Sequence, residues 1–132
     1  MKYKFTLAAR LLLGLIFAFF GSNGLAMSLT GHGFLPMPEP GPEMMIIMTG
    51  FLATNYLLGL VAAVQTFSGL LLVSGRYVNL AITLLGPIIV NILCIHIFAD
   101  PSGLPVAVVV TALWLVLLRA RWSDFKTLVK KD

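Results

Sequence analysis

Four long apolar stretches alternate with short polar segments along this chain. They lie at about residues 6–27, 55–74, 78–99 and 104–118. A helix that crosses the ~30 Å hydrocarbon core of a bilayer needs about 20 mostly apolar residues, and the first three stretches reach that length. The fourth is shorter, but the long side chain of Arg119 at its end can extend to the polar interface. The pattern predicts an all-α, integral membrane four-helix bundle that forms one domain over residues 1–132.

The segment between the first two stretches is interrupted by prolines. Pro36, Pro38, Pro40 and Pro42 alternate there, which forces extended backbone and excludes helix. The chain becomes apolar again at Met44, yet one helix over residues 44–73 would be about 45 Å long, well beyond the hydrocarbon core. We therefore expect a short helix that lies in the membrane interface, followed by the second span.

Small residues mark the faces on which the first two spans are expected to pack. The first span carries Gly14, Ala18 and Gly21 on one side, and the second carries Asn55, Gly59, Ala62, Thr66 and Gly69. Residues with little or no side chain let two helix backbones approach closely. Four short helices bury little surface, so we also expect spare small-residue faces to hold another copy of the chain or a partner.

Charge fixes the expected orientation. When the four spans are threaded back and forth, all nine Lys and Arg residues fall on one side, and the opposite loops carry only Glu39, Glu43 and Asp100. Loops rich in Lys and Arg stay in the cytoplasm, so both termini are expected to be cytoplasmic. The predicted location is the cytoplasmic (inner) membrane, which the chain crosses several times.

Composition excludes several classes of protein. The chain is 59% hydrophobic and 11% charged, with mean hydropathy +1.00, which is too apolar for a soluble domain. The net charge of +4 does not indicate nucleic acid binding, because the cations flank the spans, where they meet anionic lipid head groups. With Cys94 as the single cysteine, no intramolecular disulfide can form. No nucleotide-binding, zinc-protease or serine-hydrolase motif is present, so there is no independent catalytic motif.

The polar side chains of the spans are the candidate functional residues. They are Asn23, Asn55, Tyr56, Gln65, Asn91 and His96. Gln65 is expected near the middle of the membrane and the others in its outer third. Asn79, Thr83, Pro87 and Asn91 follow at four-residue steps along the third span, and this mildly polar face is expected to turn Asn91 toward the bundle. Pro87 also removes a hydrogen bond to the carbonyl of Thr83.

Each candidate has two interpretations. His96 can bond a ligand carbonyl or relay a proton, but a histidine at the end of a span that bonds to Asp100 or to water is favoured. Asn91 and Gln65 can point at a ligand or join helices, and the second role is favoured. Four methionines (Met37, Met44, Met45 and Met48) lie near His32, and thioethers suit Cu(I). No Met-x-Met or His-x-His spacing supports a metal site, so copper is disfavoured.

Several runs of the sequence resemble the DoxX family. They are RLLLGLIF at 10–17, FGSNG at 20–24, FLP at 34–36, SGLLLVSGRYV at 68–78 and PIIVNILCIHIF at 87–98. The resemblance implies four transmembrane helices in the cytoplasmic membrane and an association with membrane redox chemistry, since some members are subunits of thiosulfate–quinone oxidoreductases or partners of detoxifying enzymes. The family often carries acidic residues at the position of Gln65 and near Trp114. This chain lacks both, which argues against a proton-coupled role.

Three functions remain open. The first is a redox-associated subunit that holds a quinone-like or other lipophilic molecule in the outer half of the bundle, where Asn91 and His96 would bond its carbonyls with help from Asn23 and Tyr56. The second is a non-catalytic scaffold or assembly factor for a partner protein. The third is a small transporter, against which the lack of a central charge argues. The first two are separated by whether the outer polar residues enclose a cavity or satisfy each other.

Overall fold

The computed structural model describes residues 2–131, and this part of the chain is helical with short connections. The α-helices are α1 (Lys2–Thr30), α2 (Pro42–Ala53), α3 (Leu57–Ser74), α4 (Val78–Phe98), α5 (Leu104–Ala120) and α6 (Trp122–Phe125). A 3₁₀ turn over Pro101–Gly103 precedes α5, and a second over Lys126–Val129 follows α6. The helices α1, α3 and α4 are long and apolar enough to cross a membrane, and so is the segment Pro101–Ala120, which combines the first 3₁₀ turn with α5. The predicted all-α class is therefore confirmed. The four candidate spans indicate a multi-pass membrane protein whose apolar surface fits contact with a lipid bilayer.

The four long helices form a closed ring. Helix α1 packs against α3 and α5, and α4 packs against the same two helices. The turn from α3 to α4 is short: Gly75 follows α3 with φ 72°, and Tyr77 precedes α4 with φ 54°. The start of α1, this turn and the end of α5 therefore meet at one end of the bundle. We call this the basic end, because Arg10, Arg76 and Arg119 all belong to it.

Helices α1 and α3 are the most closely packed pair. A Cβ atom added to Gly14 would lie 2.9 Å from the carbonyl oxygen of Gly69, and one added to Gly21 would lie 2.6 Å from the amide nitrogen of Thr66. A Cβ atom on Gly69 would meet the backbone of Ala18. The predicted small-residue faces are confirmed, but they pack against each other. They are therefore not spare, and this removes the reason given above for expecting them to hold another chain.

The core fills the half of the bundle nearer the basic end. Its most buried large side chains are Leu13, Leu72, Ile82, Leu85, Ile89 and Leu117, which come from all four long helices. The short helix α2 stands apart from this core: it contacts α3 and buries none of its residues. A short helix before the second span is therefore present as predicted, with Pro42 in its first turn, where a missing N–H costs nothing.

Candidate functional site

Asn23 holds the loop that follows α1. The residue is only 8% exposed, and its Oδ1 accepts hydrogen bonds from the backbone N–H groups of Phe34 and Leu35 at 2.7 and 2.9 Å. Gly33 packs directly on the amide, since a Cβ there would lie 2.7 Å from Oδ1. The Oδ1 of Asn23 is thus occupied by the chain's own backbone.

His96 is bonded to the turn that follows α4. Its Nδ1 lies 2.9 Å from the carbonyl oxygen of Asp100, and because a carbonyl can only accept, Nδ1 is the donor. The carboxylate of Asp100 is 3.7 Å from the same nitrogen. Gly103 packs against the imidazole ring, where a Cβ would collide with it. This arrangement agrees with the interpretation favoured from the sequence, a histidine at the span end bonded to Asp100.

Asn91 lies on the outside of the bundle, so the expectation that it faces inward is wrong. Thr83 and Pro87, from the same row, are exposed as well. The inward face of α4 is the apolar row of Val78, Ala81, Ile82, Leu85, Gly86 and Ile89. At 100° per residue this row lies roughly opposite Asn91, so apolar packing decides how α4 is turned. Within the described chain the Asn91 amide has no hydrogen-bond partner.

The remaining member of that row, Asn79, is half-buried at the basic end. Its Nδ2 donates a 2.8 Å hydrogen bond to the carboxylate of Asp124, which ties the start of α4 to the segment after α5. Asp124 also lies 3.9 Å from a guanidinium nitrogen of Arg121. The predicted polar face of α4 is therefore divided. Asn79 bonds to Asp124, whereas Thr83, Pro87 and Asn91 are exposed on the surface.

Gln65 lies at the middle of α3, at the edge of the contact with α1. Its Cβ is 3.0 Å from the position that a Cβ of Gly21 would take. The side chain is half-buried, and its amide makes no hydrogen bond within the described residues. It is thus a polar group at mid-span depth that is neither fully enclosed nor bonded.

Asn55 and Tyr56 form the turn between α2 and α3, which explains why α3 starts later than the predicted position 55. Asn55 has φ 62°, a left-handed conformation that asparagine tolerates better than most residues. Both line a cavity of about 190 Å³ with Met27, Ser28 and Phe51. This is below the ~300 Å³ at which small-molecule pockets usually begin. Tyr56 is 63% exposed.

The six candidates therefore do not converge on one enclosed site. Asn23 and His96 bond to the loops at the end of the bundle opposite the basic end, Asn55 and Tyr56 form a turn, and Asn91 points away from the bundle. Sequence reasoning missed Trp114, whose Nε1 donates to the carbonyl of Ile82 at 2.9 Å. A tryptophan within a span was a usable signal, because its buried N–H needs an acceptor.

Comparisons with known proteins leave the family open. No protein-family model, no curated protein and no solved structure matches this chain. Within residues 2–131, no three His, Cys, Asp or Glu side chains lie close enough together to hold a metal ion. The placement of the polar residues is therefore the basis for a functional proposal.

Proposed function

We propose that this chain is a DoxX-like protein of the cytoplasmic membrane that acts as a non-catalytic scaffold or assembly factor for a partner membrane protein. The partner contacts the outward face of α4. The observation that carries this proposal is the exposed, unbonded amide of Asn91. In this proposal the basic end is cytoplasmic, both termini lie on that side, and α2 lies in the outer interface.

The depth of Asn91 makes contact with lipid unfavourable. It is three residues from Ile88, the midpoint of α4, which is about 4.5 Å along the helix axis. Hydrocarbon offers no hydrogen bonds, and an unpaired amide there costs several kcal/mol. A polar group supplied by another protein would remove that cost. Asn91 is therefore better explained by a protein neighbour than by lipid.

A second polar group belongs to the same face. Pro87 has no N–H, so the carbonyl of Thr83 loses its usual helical donor, and both residues are exposed on the side of Asn91. The exposed positions in the middle of the other spans are apolar. They are Leu12, Leu15, Phe19 and Phe20 in α1, Leu60, Ala63, Phe67 and Leu70 in α3, and Val108, Val109, Ala112 and Leu115 in α5. Those surfaces suit lipid, and α4 differs from them.

The two leading functions predicted from the sequence differ in what the outer polar residues do. The Nδ1 proton of His96 is donated to the carbonyl of Asp100, so this nitrogen is poorly available to a quinone carbonyl, which favours the scaffold. The redox association rests on the resemblance to the DoxX family, in which some members belong to redox assemblies. We accordingly propose a membrane redox enzyme as the partner, and this chain supplies no catalytic group of its own.

Replacing Asn91 tests this proposal. In Asn91→Leu the partner loses one interhelical hydrogen bond, which averages about 0.6 and reaches about 1.7 kcal/mol, so association should weaken by roughly three- to twentyfold. The isolated bundle should be at least as stable as before, because the unpaired amide is gone. Native mass spectrometry from mild detergent measures the first effect and thermal unfolding the second. Phe67→Leu on the exposed face of α3 is the matched control.

Two results of that experiment contradict the proposal. The first is a wild-type chain that comes out of its own membrane only as a 14.3 kDa monomer, even after crosslinking in the membrane. The second is a complex that Asn91→Leu and Phe67→Leu weaken equally, because the polar group would then have no special part in the association.

A second candidate function is retention of a quinone-like molecule, favoured by the cavity beside Asn55 and Tyr56. About 190 Å³ leaves room for a head group whose tail remains in lipid, and the Tyr56 hydroxyl could bond a carbonyl. A quinone that co-purifies with the wild type and is lost from Tyr56→Phe would favour it. Equal retention by both chains, or none, would exclude that role for the hydroxyl.

A further inference from the structure

A groove at the basic end combines apolar walls with arginines. It encloses about 830 Å³ between the first turns of α1 and the last turns of α5. Its apolar lining includes Phe5, Leu7, Val78, Leu115 and Val116, and its cationic lining is Arg10, Arg119 and Arg121. The volume is within the 300–1,000 Å³ range of small-molecule pockets, unlike that of the cavity beside Asn55 and Tyr56. None of the six candidate residues discussed above lines it.

The charge of this groove is largely uncompensated. No Asp or Glu lines it. Arg10 and Arg119 form no ion pair within the described residues, while Arg121 has the carboxylate of Asp124 at 3.9 Å. That carboxylate also accepts the hydrogen bond from Asn79. At least two guanidinium groups in the groove therefore lack a counter-ion from the described chain.

Arg10 is held in place by packing. Its guanidinium lies against Gly75, where any Cβ would collide with Nη1, and Gly75 has φ 72° at the end of α3. The Nε of Arg10 is buried and has no hydrogen-bond acceptor in the described residues. A guanidinium fixed in this way presents its donors in a fork whose geometry matches carboxylate and phosphate oxygens.

We propose that this groove binds an anionic phospholipid, with the phosphate at Arg10 and Arg119 and an acyl chain along the apolar wall. Basic pockets between transmembrane helices on the cytoplasmic side hold anionic head groups of this kind. A free phosphate ion could use the arginines but would leave the apolar wall exposed. The apolar lining therefore favours a lipid as the occupant.

The test is lipid binding by the intact chain, measured by native mass spectrometry after delipidation. Phosphatidylglycerol and phosphatidylcholine with identical acyl chains are added at the same concentrations. We expect preferential retention of phosphatidylglycerol, and equal retention of the two lipids by the wild type would overturn the proposal without any variant. Displacement of phosphatidylglycerol by millimolar inorganic phosphate would overturn the lipid as occupant, since phosphate alone would then satisfy the site.

Variants place the lipid in the groove. Each arginine near an anionic surface contributes about fivefold, so Arg10→Gln with Arg119→Gln should weaken phosphatidylglycerol binding on the order of 25-fold and leave phosphatidylcholine unchanged. Arg76→Gln is the matched control, because it removes a cation from the same end of the bundle but outside the groove lining. An equal loss in the control and the double variant would refute the site, leaving only a general charge effect. Circular dichroism checks that each variant has the helix content of the wild type before its lipid binding is compared.

Discussion

The indole nitrogen of Trp114 on α5 donates a hydrogen bond to the carbonyl oxygen of Ile82 on α4, at 2.9 Å. The two atoms meet in the half of the bundle nearer the basic end. A Cβ on Gly86 would lie 3.2 Å from the same ring, so the indole rests on the bare backbone of α4 one turn beyond Ile82. This contact joins two neighbouring helices by both a hydrogen bond and close packing.

Removing the indole N–H should therefore loosen α5 from α4. Trp114→Phe keeps an aromatic ring but loses the hydrogen bond, and we expect a loss of about 0.6 to 1.7 kcal/mol in the free energy of unfolding. Trp122→Phe, on the exposed segment after α5, should change stability by less than about 0.5 kcal/mol. Unfolding in mixed detergent micelles compares the two variants, and an equal effect would show that the bond to Ile82 contributes nothing specific.

The close packing of α1 and α3 predicts that replacing Gly69 with alanine destabilises the protein more than replacing Gly50. Gly69→Ala places a Cβ against the backbone of Ala18, which cannot move aside as a side chain can, and should cost about 1 to 3 kcal/mol. Gly50→Ala in α2 meets no atom within 4 Å and should be neutral or gain up to about 1 kcal/mol from helix propensity. Thermal unfolding in detergent measures both, and a tolerated Gly69→Ala would contradict the α1–α3 contact.

Asn23 should control the loop after α1. Asn23→Ala leaves the N–H groups of Phe34 and Leu35 without their acceptor, so both amides should exchange hydrogen faster, by about 1 to 3 kcal/mol of lost protection. Asn23→Asp retains an acceptor oxygen at the same place and should keep most of the protection. Hydrogen exchange with mass spectrometry measures the protection of residues 31–41. Equal protection in the two variants would show that the Asn23 oxygen does not hold this loop.

The spans and the α1–α3 interface could be predicted from the sequence because both depend on local patterns. Apolar length identifies a span, and Gly14, Gly21 and Gly69 mark faces where backbones can meet. The orientation of Asn91 could not be predicted, because α4 is apolar on nearly every side. The spacing of its apolar residues therefore does not indicate which side faces the bundle. Polar residues in spans usually face the bundle, and that rule gave the wrong side here.

The partners of Asn23 and the groove at Arg10 were hidden for a different reason. Phe34 and Leu35 lie in a loop without periodic structure, so nothing in the sequence places their N–H groups near Asn23. The groove depends on α1 and α5 being neighbours in the ring, which the order of the helices along the chain does not determine. His96 was easier to interpret, because a histidine four residues before Asp100 can reach the turn at the helix end.

The thiol of Cys94, on the outward face of α4, allows a test of whether the partner is a second copy of this chain. Cys94 is exposed on the side of Asn91 and is the only cysteine of the chain. If two copies pack through α4, mild oxidation in native membranes should join them into a disulfide-linked dimer, and Cys94→Ser should abolish it. A partner of another kind leaves the chain monomeric on the same gel, and a dimer that persists in Cys94→Ser could not come from this thiol.

Photo-crosslinking in native membranes tests most directly whether α4 contacts a protein. A benzophenone amino acid at Val90, beside Asn91, is compared with the same probe at Phe67 on α3 and at Val108 on α5, which are exposed positions within the other spans. The account predicts a protein adduct from Val90 and lipid adducts from the other two. Lipid adducts from all three positions would contradict it, because the outward face of α4 would then be covered by the bilayer.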